Sequence, residues 1–247
     1  MRKYTFIGPI LLIFIWAVAA QLQLIDKFFL PDPFTTIKKL FDLLVSGAIL
    51  GDLISTLQRV ILAFIMALVI GLPLGLLLGS KEKIYRSVEF IIDFFRSTPA
   101  TALFPLFLLV FGITDKSKIA VAAFASMLII IFNTAYGVMH AKKSRVLAAQ
   151  IMGATKAQIF RWILFWESLP QTFIGLRSAI SLSLVLIVVT EMFIGTTSGL
   201  GRKIIYSQIT YEIPTMYATI LLAGIIGYLL NLLFLEVEKR FLHWSGK

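Results

Sequence analysis

Cysteine is absent from this chain and histidine occurs only twice, as His140 and His243. Disulfides and thiolate metal sites are thereby excluded and no histidine cluster can form, so neither a metal nor another cofactor is expected. Acidic residues are few, 13 Asp and Glu against 23 Lys and Arg. No paired Ser and His stands out, and no glycine-rich stretch is followed by Gly-Lys-Ser or Gly-Lys-Thr. Catalytic residues and a phosphate-binding loop are therefore not expected here.

What the chain has in excess is apolar surface. At 247 residues it is 59% hydrophobic and 15% charged, with a mean hydropathy of +0.92, far from the roughly 25% charged average of soluble domains. It reads as an all-α integral membrane protein. A bilayer core takes about 20 apolar residues per helical span, and six such runs occur, at about 5–24, 53–79, 87–111, 118–140, 169–194 and 214–236. The formal charge of +10 would suit nucleic acid, but the cations sort by loop. Arg2, Lys3, Lys81, Lys83, Arg86, Lys142, Lys143, Arg145, Lys156, Arg161, Lys239, Arg240 and Lys247 fall on one side; Lys27, Lys38, Lys39, Lys116, Lys118, Arg202 and Lys203 fall on the other. The positive-inside rule then puts both termini in the cytoplasm of a multi-pass protein of the inner (plasma) membrane, with lipid and not nucleic acid around it.

Three units follow. Residues 1–28 form an N-terminal anchor. Its Ala17–Gln21 stretch resembles a signal-peptide cleavage site, but an apolar run reaching nearly to Ile25 favours a retained span. Residues 29–50 form an external amphipathic helix, capped by Thr35 or Thr36, with Ile37, Leu40, Phe41 and Leu44 at helical spacing. Residues 51–247 form the core.

Within the core, the connection at about 141–168 is the longest on the cytoplasmic side, and it contains LAAQIMGATKAQIFRW from Leu147 to Trp162. Its residues favour helix over disorder. Gly153 can take a left-handed turn and Thr155 can cap a second helix, so two short helices are expected, the second with an Ile159, Trp162, Ile163 stripe. Such a pair is suited to another protein's groove, or packs as an ordinary loop on its own spans.

The same stretch resembles the cytoplasmic signature of ABC-importer permeases, Glu-Ala-Ala, three residues, Gly, nine residues, Ile, one residue, Leu-Pro. Ala148, Ala149, Gly153 and Ile163 fall in register, while Leu147 replaces the glutamate and Phe165 with Trp166 replace Leu-Pro. STPATALFPLFLLVFGI from Ser97, LPQTFIGLRSAI from Leu169, TEMFIGTTSGLGRKI from Thr190 and EVEKRFLHW from Glu236 resemble the branch importing nitrate, bicarbonate, sulfonates, taurine or thiamine precursors. The resemblance implies a methionine-importer-like type I permease with about six transmembrane helices and cytoplasmic coupling helices. It implies partners as well: cytosolic ABC ATPase subunits that hydrolyse the ATP, an extracytoplasmic solute-binding protein and a second permease copy, as a homodimer. The coupling residues it points to are Ala148, Ala149, Gly153, Ala154, Ile159 and Ile163.

Ionisable residues inside a bilayer cost on the order of 2.5–3.5 kcal/mol on insertion scales and usually face protein or water. Arg177, near the cytoplasmic end of its span, can snorkel. Asp93 and Arg96, three apart, can neutralise each other. Arg59 and Glu191 have no local partner, and either pair across spans or gate a solute. Pro99 and Pro105 interrupt the third span, leaving Ser97, Thr98 and Thr101 as a polar, broken stretch. Arg59, Arg96, Thr98, Pro99, Thr101, Asn133 and Glu191 are accordingly the candidates for a translocation pathway. Gly71, Gly75 and Gly79 recur every four residues, a helix-packing pattern. A stand-alone secondary transporter is the alternative, but it calls for inverted repeats or several deep carboxylates, and neither is evident.

Overall fold

A computed structural model describes residues 7–193 and 195–242. Arg2, Lys3, His243, Trp244 and Lys247, used above for charge sorting or for the closing motif, lie outside them. Among the described residues every regular element is helical, as a chain in hydrocarbon requires, because a helix satisfies its own backbone donors and acceptors.

In chain order the helices are α1 (Ile7–Gln21), α2 (Pro33–Val45), α3 (Leu50–Ser80), α4 (Glu82–Ser97) and α5 (Phe104–Phe111). Then follow α6 (Asp115–Met139), α7 (Lys143–Ile151), α8 (Lys156–Ile159), α9 (Phe165–Glu191), α10 (Leu200–Ile209) and α11 (Ile213–Phe241). Four stretches are long and apolar enough to cross a membrane: α3, α6, the continuous rod Lys156–Glu191 and α11. The expected third span at 87–111 is not one straight helix, since α4 and the Ala100–Phe111 segment meet at 91°. Its break falls at Thr98–Pro99, where proline cannot donate to the preceding turn. Pro105 does not break anything; it occupies the first turn of α5, where no helical donor is lost.

Close backbone packing builds the centre. A Cβ added at Gly71 would lie 3.0 Å from the Met127 carbonyl, at Gly75 2.7 Å from Thr134 Cβ, and at Gly79 2.7 Å from the Ala135 carbonyl, all on α6. On the other side of α6, Gly137 approaches the Ser168 carbonyl and Gly175 approaches Asn133 in the same way. Small residues let helices meet at backbone distance, the main source of association where lipid tails compete equally for apolar surface. Polar bonds add to it: Ser126 Oγ lies 2.8 Å from Ser183 Oγ, and Gln171 Nε2 donates to Asn133 Oδ1 at 2.9 Å. α3, α6 and α9 thus form one block, with α10, α11 and α2 packed beside it and α4–α5 lying along α6.

The N-cap of α2 lies three residues before Thr35, the earlier of the two expected caps. Asp32, and neither threonine, is the N-cap, accepting from the Thr35 amide at 3.0 Å, with Pro33 preset for the first turn. Thr36, Leu40 and Leu43 turn inward, while Ile37 and Phe41 of the predicted stripe are exposed. α1 touches the remainder chiefly through Trp16, whose Nε1 donates to the Pro31 carbonyl at 3.0 Å and whose ring stacks on Tyr217.

Candidate functional site

Three groups of candidate residues lie at different depths. The first is the elbow joining α6 to the 156–191 rod. α7 closes in a Schellman turn: the Ala154 amide donates to the Ala149 carbonyl at 2.9 Å, the Gly153 amide donates to the Gln150 carbonyl at 3.0 Å, and Gly153 sits at φ +79°. Two residues on, Thr155 and Gln158 form a reciprocal capping box. The second helix is not separate, however. α8 runs through one π-helical turn, Phe160–Leu164, straight into α9, so what was expected as a short second helix supplies the first turns of a 36-residue rod about 54 Å long.

The elbow's surface is apolar. Ile151 and Met152 are 87% and 86% exposed, and Leu147 and Trp162 are exposed beside them. A concavity of about 360 Å³ is lined by Ala149, Met152, Gly153, Ala154, Gln158, Ile159, Trp162 and Ile163. Five of the six residues expected to couple meet there; Ala148 lies outside it. Although Leu147 stands where the resemblance calls for an acid, Glu167 of α9 pairs with Arg145 of α7 across the elbow.

The second group is at the break between α4 and α5. Arg96 Nη1 donates to Asp93 Oδ1 at 3.0 Å, and its guanidinium sits 3.7 Å from the centre of the Phe132 ring, a cation–π contact. Thr98 Oγ1 donates back to the Phe94 carbonyl at 2.9 Å. Thr101 and Pro99 are exposed, and Asn133 follows Phe132 on α6, bonded to Gln171. Four of the seven pathway candidates, Arg96, Thr98, Pro99 and Thr101, therefore share one bend, whereas the side chain of Asn133 meets α9 at Gln171 and Gly175.

Arg59 and Glu191 belong elsewhere. They meet at the opposite end of α6 from the elbow, about 25 Å along the helix from Phe132. Glu191 is fully buried. Its Oε1 accepts from Arg59 Nη1 at 2.6 Å; its Oε2 accepts from Thr56 Oγ1 at 2.8 Å and from the Gly201 amide at 3.0 Å. Arg59 Nη1 also donates to the Ser198 carbonyl at 2.7 Å, and Nη2 to Asp115 Oδ2 at 3.1 Å. Arg59 Nε lies 3.0 Å from Asp115 Oδ1, close enough for ion pairing but not aligned for a hydrogen bond. Lys118 Nζ donates to the same Oδ1 at 3.0 Å. Nearby, the Leu200 amide donates to Thr56 Oγ1 and the Gly199 amide to Asp52 Oδ1, each at 2.8 Å. Of the two readings the sequence left open, the cross-span ion pair is the one formed. Thr56 and Arg59 share a face of α3 at i,i+3 spacing, but Thr56, Asp52, Asp115, Lys118 and Ser198 were all missed as partners. Asp115 and Lys118, also i,i+3, were a visible signal, passed over because Lys118 was counted with the loop cations. The glycines explain themselves here: a Cβ on Gly199 or Gly201 would collide with Glu191.

Arg177 does not snorkel to an end alone; its Nη1 lies 3.9 Å from Glu238 Oε2 of α11. No group of three or more Asp, Glu, His or Cys suited to a metal occurs among the described residues.

Comparisons with known proteins give the family and the fold. Residues 67–241 match the family described as binding-protein-dependent transport system inner membrane component. The taurine transport system permease protein TauC of Escherichia coli K12 is 28% identical over 241 residues, covering 96% of this chain and 87% of that protein. The formylaminopyrimidine transport permease protein ThiX of Halalkalibacterium halodurans is 28% identical, covering 100% and 99%. In fold, the chain is similar to a subunit of the inward-facing MetNI methionine ABC transporter, with a TM-score of 0.65 at 23% identity over 75% of this chain and 92% of that one.

Proposed function

Because the chain belongs to the binding-protein-dependent transport system inner membrane component family, an ABC transporter permease of type I importer fold and not itself an enzyme, we propose that it carries a small polar or anionic solute into the cytoplasm. Cytosolic ATPase subunits drive it, a solute-binding protein outside loads it, and a second copy completes the channel. Both termini and the elbow face the cytoplasm of the inner membrane, as the loop charges favour.

The observation that carries this reading is the exposed apolar concavity around Gly153, held by a Schellman turn on one side and a capping box on the other. A patch of that kind on a rigid mount is a docking surface for a partner. Closure of ATPases around ATP pushes on Ala149, Gly153, Ala154, Ile159 and Ile163, with Ala148 beside them, and the rod moves as a body. Loaded binding protein and closed ATPases favour the same outward-facing state, so each promotes the other.

Arg96 at the bend of α4, with Thr98, Pro99 and Thr101 beside it and Asn133 one residue beyond the Phe132 ring it covers, is the reading's solute-facing group. Its counter-ion Asp93 is half exposed, so an incoming anion can compete for the guanidinium. Relatives named for taurine, aliphatic sulfonates and formylaminopyrimidine support the sulfonate, taurine or thiamine-precursor class over nitrate or bicarbonate. The test is uptake of labelled taurine, an alkyl sulfonate and formylaminopyrimidine into vesicles holding the permease and the binding protein, with and without the partner ATPase. Uptake of one of them that needs the ATPase and ATP is expected, and Gly153→Val, which forces a branched side chain into a left-handed turn, should reduce it at least tenfold while membrane insertion persists. Full-rate uptake without the ATPase would identify a stand-alone secondary transporter instead.

A further inference from the structure

The Glu191 cluster has no use in the scheme above, yet it is the densest set of buried charges among the described residues. It is assembled from four separate places: Asp52, Thr56 and Arg59 on α3, Asp115 and Lys118 at the start of α6, Glu191 at the end of α9, and Ser198 to Gly201 leading into α10. Three of the four side chains bonded to the 198–201 segment, Thr56, Arg59 and Glu191, are buried, Asp52 is half-buried, and Arg59's two terminal nitrogens are already engaged, leaving little to offer a solute. Glu191 is also the last residue of the rod whose first residue, Lys156, follows the capping residue of the elbow. Arg145–Glu167 ties the rod to α7 at one end; Glu191 ties it to α3 and α10 at the other.

We propose that Arg59 and Glu191 are positioning residues: their ion pair clamps the 195–200 loop and α10 to the far end of the rod, so that movement at the elbow and movement of this loop are one displacement. The inference rests on the importer reading and adds to it a place where the binding-protein side is mechanically joined to the ATPase side. The clamp stays closed throughout the cycle. Opening it would strand Glu191 and Arg59 without partners away from water, which a transport stroke cannot routinely do. The loop follows the rod because four bonds hold it: Ser198 carbonyl to Arg59, Gly199 amide to Asp52, Leu200 amide to Thr56 and Gly201 amide to Glu191.

The test uses the complete importer, permease with its ATPase and binding protein, in proteoliposomes, and reads ATP hydrolysis with and without binding protein. Glu191→Gln should lower the ratio of stimulated to basal hydrolysis at least fivefold; a merely structural loss lowers both rates together and leaves the ratio alone, and an unchanged ratio overturns the proposal. Because that variant can fail to fold, a second measurement keeps Glu191 in place. The absence of native cysteine allows Ser55→Cys and Thr197→Cys to be joined by a short flexible bis-thiol reagent, tethering α3 to the loop. Stimulated hydrolysis within twofold of the untethered double variant is expected. A fivefold or greater loss on tethering means that the loop leaves α3 in each cycle and overturns the clamp while the importer reading stands; failure of the unmodified chain to copurify with the ATPase overturns both.

Discussion

Glu191 and Arg59 illustrate what single side chains decide here. Removing one member of a buried, hydrogen-bonded ion pair costs about 3–5 kcal/mol because the other is left uncompensated. Glu191→Gln should therefore lower the thermal midpoint of the detergent-solubilised permease by at least about 5 °C. Adding Arg59→Met should restore most of it, since Asp115 keeps Lys118 as its counter-ion. A double variant no more stable than the single one would show that the charges are not acting as a pair. Asp32 acts more locally. Bonds from the Thr35 side chain and amide hold its carboxyl below the ordinary aspartate value, so its capping contribution is complete above that ordinary value and is lost only as pH falls through the lower folded value. α2 should accordingly keep its protection from proteolysis at mildly acidic pH in the native chain, and Asp32→Ala should lose it at every pH. The sequence displayed Arg59 and Glu191 as charges lacking partners. It could not display the partners, because proximity between residues 52, 59, 115, 191 and 198 is created only by folding.

At the level of elements, the elbow was the most legible part. A glycine between two helix-forming runs followed by a threonine is a stop and a start, and both appear as a Schellman turn and a capping box. Thr155→Ala removes the cap and should cost about 1 kcal/mol, seen as faster hydrogen exchange in residues 156–160 without loss of the spans. The Gly71, Gly75, Gly79 row was legible as a packing face, and α6 is the helix it faces. Gly75→Leu should drive α3 from α6 and prevent accumulation of folded protein in membranes, whereas Gly224→Leu, at a position with open space around it, should be tolerated. Two boundaries were not legible. The rod's continuity through the Phe160–Leu164 π turn was hidden because the second short helix and the apolar run from residue 169 were read as separate elements on either side of Phe165–Ser168, and the 91° bend of α4 against the Ala100–Phe111 segment was hidden because hydropathy counts apolar residues without regard to direction.

For the whole molecule, orientation and assembly follow from how charge and apolar surface are distributed. With no native cysteine, single cysteines report sidedness directly. Ser144→Cys should react with a membrane-impermeant maleimide only from the cytoplasmic face and Thr197→Cys only from outside; the reverse pattern would invert the topology and with it the direction of coupling. Composition alone determined that this is a helical membrane protein, because apolar runs of bilayer length have no other stable form in lipid. Local order along the chain determined the elbow, since caps and turns depend on residues within a few positions of one another. Tertiary structure decided the rest: which charges are partners, which span is bent, and that the elbow and the Glu191 cluster are the two ends of one rod. Those are relations between distant residues, fixed by how closely the backbones of α3, α6 and α9 can approach, and a linear pattern carries no record of that distance.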